Sequence, residues 1–384
     1  MMKIVIAGDL LPWSNNANLF KKGDAKTLFG NEVCQLFATA DYSILNLEGP
    51  LTDATVKQQK IGPVIKADKE TIKGLQALKV KAVALANNHI TDYLQKGIDD
   101  TIAVLKSAGI DYVGVITTNN PNNCKFLSVM IGHRRVCIYN VSETFFNRPT
   151  NNSSGANVYD EWIVLNEIKE LKQRHDYLIV IYHGGAEYFQ YPTPQTRTRF
   201  HRMANCGADF ITAQHTHCIG CEEWYNGSYL LYGQGNFLFA KQSEGKMKTE
   251  GLVMELVFDD EGGVQIKKHH VQLTKQACLS YSTDQTLSSF YERCKEIDNS
   301  DLIIEKYKEL KPDNIIESYL LAYKGRYYIW NKFKKFLPKR IWRNLFESYS
   351  YSQIMRNLFV QTSDRACEDV YYIWQKLLSN NNKK

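Results

Sequence analysis

Near its start the chain reads KIVIAGD (residues 3–9), a short apolar run that ends in a carboxylate. Consecutive apolar residues, most of them β-branched, are typical of a strand that is buried on both faces. Similar runs predict strands at Tyr42–Leu45, Val80–Leu85, Leu178–Tyr182, Phe210–Thr212 and Tyr229–Tyr232. This repetition of short buried strands indicates an α/β protein.

Stretches with helical periodicity lie between several of these strands. In Thr91–Ala108 the apolar residues recur every three or four positions, and Gly109 follows where glycine often ends a helix. Lys66–Leu78 shows a similar apolar stripe. Later in the chain, Leu252–Phe258 and Val264–Leu273 predict the two strands of a hairpin.

The composition is that of a globular protein, with 44% hydrophobic and 23% charged residues. These values exclude disordered, collagen-like and disulfide-dense chains. No run reaches the ~18 apolar residues that a membrane-spanning helix needs, and the N-terminus lacks the pattern of a signal peptide. Because the nine cysteines are then expected to be reduced thiols, the sequence predicts a cytoplasmic location.

Residue types that bind metal ions follow the predicted strands. They are two carboxylates, an amide and three imidazoles: Asp9, Glu48, Asn88, His183, His215 and His217. In open α/β sheets ligands bind at the carboxyl ends of the strands, so we expect these side chains to meet there. Together they predict a nitrogen- and oxygen-rich site for Zn²⁺, Mn²⁺ or Fe²⁺.

Single members of this set also have structural explanations. An aspartate after a strand is commonly a turn residue, and a single histidine is commonly packed in the core or on the surface. His215 and His217 are more specific, because alternate positions of an extended segment point to the same side. Ligand types after five successive strands favour a shared site over these separate explanations.

The segments around these residues resemble the motifs of the CapA family, the bacterial capsule (poly-γ-glutamate) synthesis proteins. The resemblance runs over about two thirds of the chain and rests on Gly8–Leu10, Asn46–Thr52, Ala86–Asp92, His183–Tyr188, Gly207–Asp209 and Tyr232–Phe237. The family is in turn similar to the calcineurin-like metallophosphoesterases. This implies an α/β, metallophosphoesterase-like four-layer sandwich, in which two mixed β-sheets are flanked by helices.

The resemblance also implies roles for the strand-end residues. Glu48 would bridge two divalent ions, one held with Asn88, His183 and His215 and the other with Asp9 and His217. His89, next to the amide ligand, would protonate a leaving-group oxygen as a catalytic acid. Two ions ~3.5–4 Å apart clamp the attacking and leaving oxygens in such reactions.

Three positions depart from the related patterns. Leu11 stands where phosphoesterases have the histidine of Asp-x-His, which removes one ligand from the ion at Asp9. Glu48 stands where phosphoesterases have an aspartate, and Gln214 replaces a histidine of the family's Gly-His-His-Pro-His segment. The sequence therefore predicts one or two ions, with one the firmer expectation.

Two residues near the motifs have alternative roles. Glu187 follows His183 closely enough to line the same opening, either as a catalytic base or as a partner that orients an imidazole. Asn236 follows an apolar strand, where it is either a support for a ligand or a turn residue. Sequence alone leaves both alternatives open.

The composition changes near residue 275, which separates a domain over residues 1–275 from a helical, basic and aromatic-rich extension over 276–384. Within the extension, 320–343 predicts a helix with an apolar face and a basic edge. This helix either docks on the α/β domain or makes a peripheral contact with an anionic membrane surface. Binding of an acidic polymer is a third alternative, and no nucleic acid is expected because no nucleic-acid motif accompanies the charge.

The leading functional interpretation is a metal-dependent hydrolase of the CapA family. Its substrate would be a phosphoester, or an amide or ester bond in an anionic polymer. A non-catalytic polymer-binding or assembly factor with a remnant metal site is the alternative, which Leu11 favours. A nucleotide phosphohydrolase without a capsule role is a third reading, because a fold does not determine a substrate.

Overall fold

The computed structural model describes residues 2–60, 63–118, 124–239, 249–282 and 287–310. Its strands are β1 (Met2–Leu10), β2 (Tyr42–Leu47), β3 (Ala82–Ala84), β4 (Asp111–Val113), β5 (Val115–Ile116), β6 (Phe126–Ile131), β7 (Arg134–Ser142), β8 (Gly155–Ala156), β9 (Tyr177–His183), β10 (Phe210–Gln214), β11 (Glu222–Tyr225), β12 (Ser228–Leu231), β13 (Asn236–Leu238), β14 (Glu250–Phe258), β15 (Val264–Leu273) and β16 (Leu279–Tyr281). Its α-helices are α1 (Ala17–Lys22), α2 (Ala25–Ala38), α3 (Ile72–Ala77), α4 (Leu94–Ser107), α5 (Glu161–Lys172), α6 (Pro194–Asn205), α7 (Leu287–Glu296) and α8 (Ser300–Leu310).

Each predicted strand is present, whereas the two predicted helices are shorter than expected. The helix predicted from Thr91 begins only at Leu94, because the preceding residues form turns in which the Asp92 amide bonds to the His89 carbonyl at 3.0 Å. The helix predicted over Lys66–Leu78 is a short 3₁₀ turn followed by α3. No prediction covered β6 and β7, which form a hairpin.

Most of the strands form two mixed sheets, and β5 and β8 pair in a separate two-stranded sheet. One of the mixed sheets has the order β16-β15-β14-β1-β2-β3-β4, with β13 also paired to β1, and its strands β1 to β4 are parallel. The other has the order β11-β12-β10-β9-β7-β6, with a parallel centre and antiparallel edges. Helices α5 and α6 contact β9 and β10 of this second sheet. The expected fold of two mixed sheets flanked by helices is therefore confirmed.

Strand β1 is buried on both faces. Ile4 and Ile6 belong to an apolar cluster that includes Ile179 of the second sheet. Val5, on the opposite face, belongs to a cluster that includes Phe29 of α2. Two apolar layers thus meet on one strand, which is why its sequence shows no alternation with polar residues.

The chain divides into two compact units, residues 1–298 and 299–384. Both sheets lie in the first unit, and the described part of the second is helix α8. The predicted helix over 320–343 lies outside the described residues. Among the described residues, no helix combines the length and hydropathy needed to cross a membrane.

Candidate metal centre

The ends of several strands from both sheets lie close together. Asp9 lies near the end of β1 and Glu48 directly after β2, both in the first sheet. His183 is the last residue of β9, and His215 follows β10, both in the second sheet. The predicted ligands therefore lie where the strand ends of the two sheets approach each other, and not along the edge of a single sheet.

A glycine precedes Asp9 because another strand passes close by. Strand β13 pairs with β1 in parallel, with Asp9 beside Asn236. A Cβ atom on Gly8 would lie 2.3 Å from the carbonyl oxygen of Gly235. Because residue 8 has no side chain, the backbone of Gly235 can pass close to it, and this places Asn236 beside Asp9.

Glu48 stands at the middle of the cluster. Its Oε1 atom lies 3.7 Å from Nε2 of His183 and 3.9 Å from Nε2 of His217. The residue is fully buried, and among the described residues no N–H or hydroxyl group donates to either carboxylate oxygen, whose nearest polar neighbours include another carboxyl group, that of Asp9. A buried carboxylate without a donor is costly unless a cation is present, so this geometry fits a bound metal ion.

Two overlapping groups of side chains have the spacing of a metal site, with ligand atoms within 4.8 Å of one another. They share Glu48: one group adds His183 and His215, and the other adds Asp9 and His217. Asn88 joins the first group, since its Oδ1 atom lies 3.0 Å from Nε2 of His183. The structure thus brings the side chains together in the two sets that the resemblance implies, with Glu48 common to both.

Asp9 is held by donors from both sheets. Asn46 donates from Nδ2 to Oδ1 of Asp9 at 2.8 Å, and the backbone N–H of His215 donates to Oδ2 at 3.0 Å. Nδ1 of His217 lies 3.6 Å from the same Oδ2 atom. The carboxylate is thereby fixed in orientation before any ion binds.

The segment of His215 and His217 is not extended, contrary to the prediction. Strand β10 ends at Gln214, and both histidines have left-handed backbone conformations, with φ of 85° and 54°. Their rings nevertheless lie 5.9 Å apart between centroids. Such conformations are uncommon outside glycine and concentrate at functional sites, where the surrounding structure compensates the strain.

Burial shifts the titration of the cluster toward neutral forms. It raises the pKa of Asp9, and it raises the pKa of Glu48 well above its ordinary value, with the nearby Asp9 charge adding to the effect. Burial also lowers the pKa of His183 well below its ordinary value. Neutral imidazoles beside carboxylates that need a cation are the state in which such residues bind a divalent ion.

The remaining predicted positions lie around this cluster. Nε2 of His215 is 3.5 Å from Oε1 of Glu187, whose side chain is 39% exposed, so Glu187 lies beside a candidate ligand and in reach of solvent, and its catalytic role stays a prediction. Leu11 is buried in the apolar core. Gln214 is also buried, and it donates from Nε2 to the carbonyl oxygen of Ala7 at 3.0 Å, which joins the two sheets.

His89 is buried beside the cluster in a pair with Asp92. Its Nδ1 atom lies 2.8 Å from Oδ2 of Asp92. Burial lowers the pKa of His89, and the Asp92 hydrogen bond opposes this effect. Sequence reasoning missed Asp92, although its position three residues after His89 within one motif was a usable signal.

The donor set indicates which chemistry the site can perform. Imidazole nitrogens and carboxylate and amide oxygens, without thiolates, suit divalent transition ions. Three aromatic rings border the histidines: Phe145 beside His215, and Tyr188 and Phe239 stacked on His217. The cluster is therefore a candidate site for a divalent ion, with aromatic rings packed against two of its histidines.

Comparison with known proteins places the chain in a family. Residues 3–241 match the family of bacterial capsule synthesis proteins, PGA_cap. The chain belongs to this family. The PGA_cap match covers every strand-end residue of the centre, and the resemblance found in the sequence is confirmed.

Two curated relatives and one solved structure show how far the similarity extends. The chain is 28% identical over 212 residues to the PGA biosynthesis protein CapA of Bacillus subtilis, which covers 53% of this chain and 54% of that one. It is 27% identical over 247 residues to the capsule biosynthesis protein CapA of Bacillus anthracis, which covers 62% and 60%. It thus spans little more than half the length of these relatives. A Staphylococcus aureus structure assigned as a 5'-nucleotidase matches at a TM-score of 0.47 and 12% identity, over 77% of this chain and 58% of that one.

Proposed function

We propose that this chain is a metal-dependent hydrolase with a phosphoesterase-like site, which acts in the synthesis of a capsule or of a poly-γ-glutamate-type surface polymer. The observation that carries the proposal is the buried Glu48 carboxylate, which two sets of candidate ligands share. Membership of the PGA_cap family and the names of the two CapA relatives support the capsule role. The substrate class is a phosphoester, or an amide or ester bond in an anionic polymer.

The clustered side chains would have different roles in such a site, some in binding metal and others in proton transfer. Glu48, Asn88, His183 and His215 would hold one Mn²⁺, Zn²⁺ or Fe²⁺ ion, and Asp9, Glu48 and His217 a second. A bound divalent ion polarises the scissile bond and lowers the pKa of water. His89, oriented by Asp92 at Nδ1, would donate a proton from Nε2 to the leaving-group oxygen when both ring nitrogens are protonated, and would return to the neutral form. Glu187 at the opening would accept a proton or steady His215.

The first experiment measures bound metal. Protein purified without added metal or chelator is analysed by elemental mass spectrometry, for the wild type, His215→Ala and His133→Ala. His133 is an exposed histidine in the β6–β7 turn and serves as the matched control. We expect one or two equivalents in the wild type and the control, and a loss in His215→Ala.

An activity screen completes this test. The metal-loaded wild type is assayed against p-nitrophenyl phosphate, bis(p-nitrophenyl) phosphate and γ-glutamyl-p-nitroanilide, which represent the two substrate classes. Metal-dependent turnover of any of them supports the hydrolase. Wild-type protein that binds no metal even after incubation with Mn²⁺ and Zn²⁺ would refute it.

A non-catalytic assembly factor is the second candidate, because Leu11 leaves the Asp9 group with three candidate ligands. In that case the metal would stabilise the fold or bind polymer, while a partner performs the chemistry. Metal binding without turnover of any substrate favours this alternative.

A further inference from the structure

A buried lysine reaches the site from a segment without regular structure. Residues 52–60 form no helix or strand, yet the side chain of Lys60 at their end is only 3% exposed. Lysine is almost never buried to this extent unless it is paired. The nearby Lys57 of the same segment is exposed, so burial is specific to Lys60.

The ammonium group of Lys60 has three neighbours, all from the turn that carries the candidate ligand and acid. It forms an ion pair with Oδ1 of Asp92, which is fully buried. It donates to the backbone carbonyl of Asn88 at 3.0 Å. It also lies 3.2 Å from Nδ1 of His89.

Asp92 connects this lysine to His89. One of its oxygens pairs with Lys60, and the other lies 2.8 Å from Nδ1 of His89 and accepts the backbone N–H of Ile65 at 2.7 Å. Nδ1 of His89 has both the Asp92 carboxylate and the Lys60 ammonium within reach. The contact with Asp92 is the shorter one and Asp92 only accepts, which favours the proton of the neutral imidazole on Nδ1 and leaves Lys60 to bond to Asp92 and to the Asn88 carbonyl. The side chains thus form a chain in the order Lys60, Asp92, His89.

Neighbouring contacts hold the lysine segment on the turn. The backbone N–H of Gln58 donates to the carbonyl of Asp92 at 2.9 Å, and the Gln58 side chain accepts from Thr91 at 3.0 Å. Gln58 also donates to the carbonyl of Phe146 at 2.6 Å. These hydrogen bonds hold the segment against the turn, so the position of Lys60 is set by the contacts of its segment as well as by its own side chain.

We propose that Lys60 is a positioning residue of the hydrolytic site, which acts through Asp92 to fix the imidazole of His89 and through the Asn88 carbonyl to fix the turn between them. This inference rests on the proposed function. Without the ammonium group, the buried Asp92 carboxylate keeps a charge with no cation beside it, and it turns away from His89 or takes up water. The imidazole then loses the partner that sets its orientation.

A spectroscopic test reads the position of His89 without reference to activity. The full chain is labelled with ¹⁵N-histidine, and the His89 imidazole proton is identified by its absence in His89→Gln. We expect a downfield Nδ1 proton in the wild type and in Lys57→Met, its loss in Lys60→Met, and at least partial recovery in Lys60→Arg. An unchanged His89 signal in folded Lys60→Met would overturn the proposal.

A kinetic test separates positioning from a general loss of structure. A leaving group that needs a proton, such as that of phenyl phosphate, depends on His89, whereas p-nitrophenolate leaves without one. General acid catalysis contributes about 10²–10⁴-fold, so Lys60→Met should lose roughly 10²-fold more turnover on phenyl phosphate than on p-nitrophenyl phosphate. An equal loss on both esters would contradict a role through His89.

The two tests keep the proposals distinguishable. A wild type that hydrolyses neither ester would count against the proposed function, while the histidine spectrum still decides whether Lys60 holds His89. Melting curves of all variants show which of them are folded. If Lys60→Met is unfolded, Lys60→Gln is measured in its place, with the same expected loss of the His89 signal.

Discussion

The side-chain oxygen of Asn236 lies 2.9 Å from Nδ1 of His217. This amide oxygen accepts the Nδ1 proton, so the lone pair of His217 is on Nε2, the atom that lies 3.9 Å from Glu48. Strand β13 places Asn236 beside Asp9, the other residue of the same group. Asn236 therefore orients His217 so that the Nε2 lone pair faces Glu48, which is the orientation that a metal ligand at this position would need.

Replacing Asn236 should weaken the second ion selectively. Loss of a hydrogen bond behind a metal ligand typically lowers metal affinity by about 10- to 100-fold. In Asn236→Leu we expect this decrease for the ion at Asp9 and His217, with the ion at His183 and His215 retained. Calorimetric titration of the metal-free protein with Mn²⁺ resolves the two affinities.

Asn151→Leu, at an exposed turn, is the matched control for this titration. Equal weakening of both ions, or of neither, would show that Asn236 does not act through His217.

Replacing Glu48 with glutamine should affect the stability of the metal-free and of the metal-loaded protein in opposite directions. Burial and the neighbouring Asp9 charge raise the pKa of Glu48, so an ionised Glu48 destabilises the metal-free fold. We expect metal-free Glu48→Gln to melt at or above the temperature of the metal-free wild type. Added Mn²⁺ should stabilise the wild type, because it binds the native state only, and should stabilise the variant much less. Differential scanning calorimetry with and without chelator measures both effects.

If Mn²⁺ raised the melting temperature of the wild type and of Glu48→Gln equally, Glu48 would not be a metal ligand. Glu32→Gln, an exposed change on α2, controls for the loss of one negative charge.

The sequence predicted which side chains lie together, because its strands are short and apolar on both faces. The residues Asp9 and His183 mark the points where such runs end, and the ends of these strands from the two sheets lie close together. The backbone of His215 was predicted wrongly, because its left-handed conformation depends on a hydrogen bond from its N–H to Asp9, 206 residues away. No local pattern contains that contact.

The lysine segment shows the same limit more clearly. Residues 52–60 have neither helical nor strand periodicity, so the sequence gives no reason to bring Lys60 to Asn88 and Asp92. The segment is placed by hydrogen bonds to residues about thirty positions later, such as that between Gln58 and Thr91. Periodicity describes the burial of apolar faces, whereas this part of the site is built from long-range polar contacts.

Replacement of His89 discriminates a hydrolase from an assembly factor. In His89→Gln we expect unchanged metal content, because the predicted ligands remain, and a loss of about 10²–10⁴-fold in turnover of phenyl phosphate. His201→Gln, a half-buried histidine bonded to Glu223 on the second sheet, is the control. Elemental analysis and steady-state kinetics measure the two quantities on the same preparations. Full turnover in His89→Gln would exclude it as the acid, and loss of metal would place it among the ligands.

Breaking a buried ion pair behind His183 should strongly destabilise the fold. Arg199 of α6 donates to the carboxylate of Glu143 at 3.2 Å, and Tyr182 donates to the same oxygen at 2.9 Å. The side chains of Arg199 and Glu143 are 6% and 4% exposed. Arg199→Met leaves the Glu143 charge buried without its cation, which typically costs about 3–5 kcal/mol.

Helix α6 also supplies the control for this prediction. Arg202 forms an ion pair with Glu161 on the surface, where both side chains are about half exposed. Such pairs contribute about 0–1 kcal/mol, so Arg202→Met should leave the urea midpoint nearly unchanged while Arg199→Met lowers it markedly. In the double variant Arg199→Met, Glu143→Gln the uncompensated charge is gone, and part of the stability should return. If both arginine substitutions lowered the urea midpoint equally, breaking the buried pair would cost no more stability than breaking the exposed one.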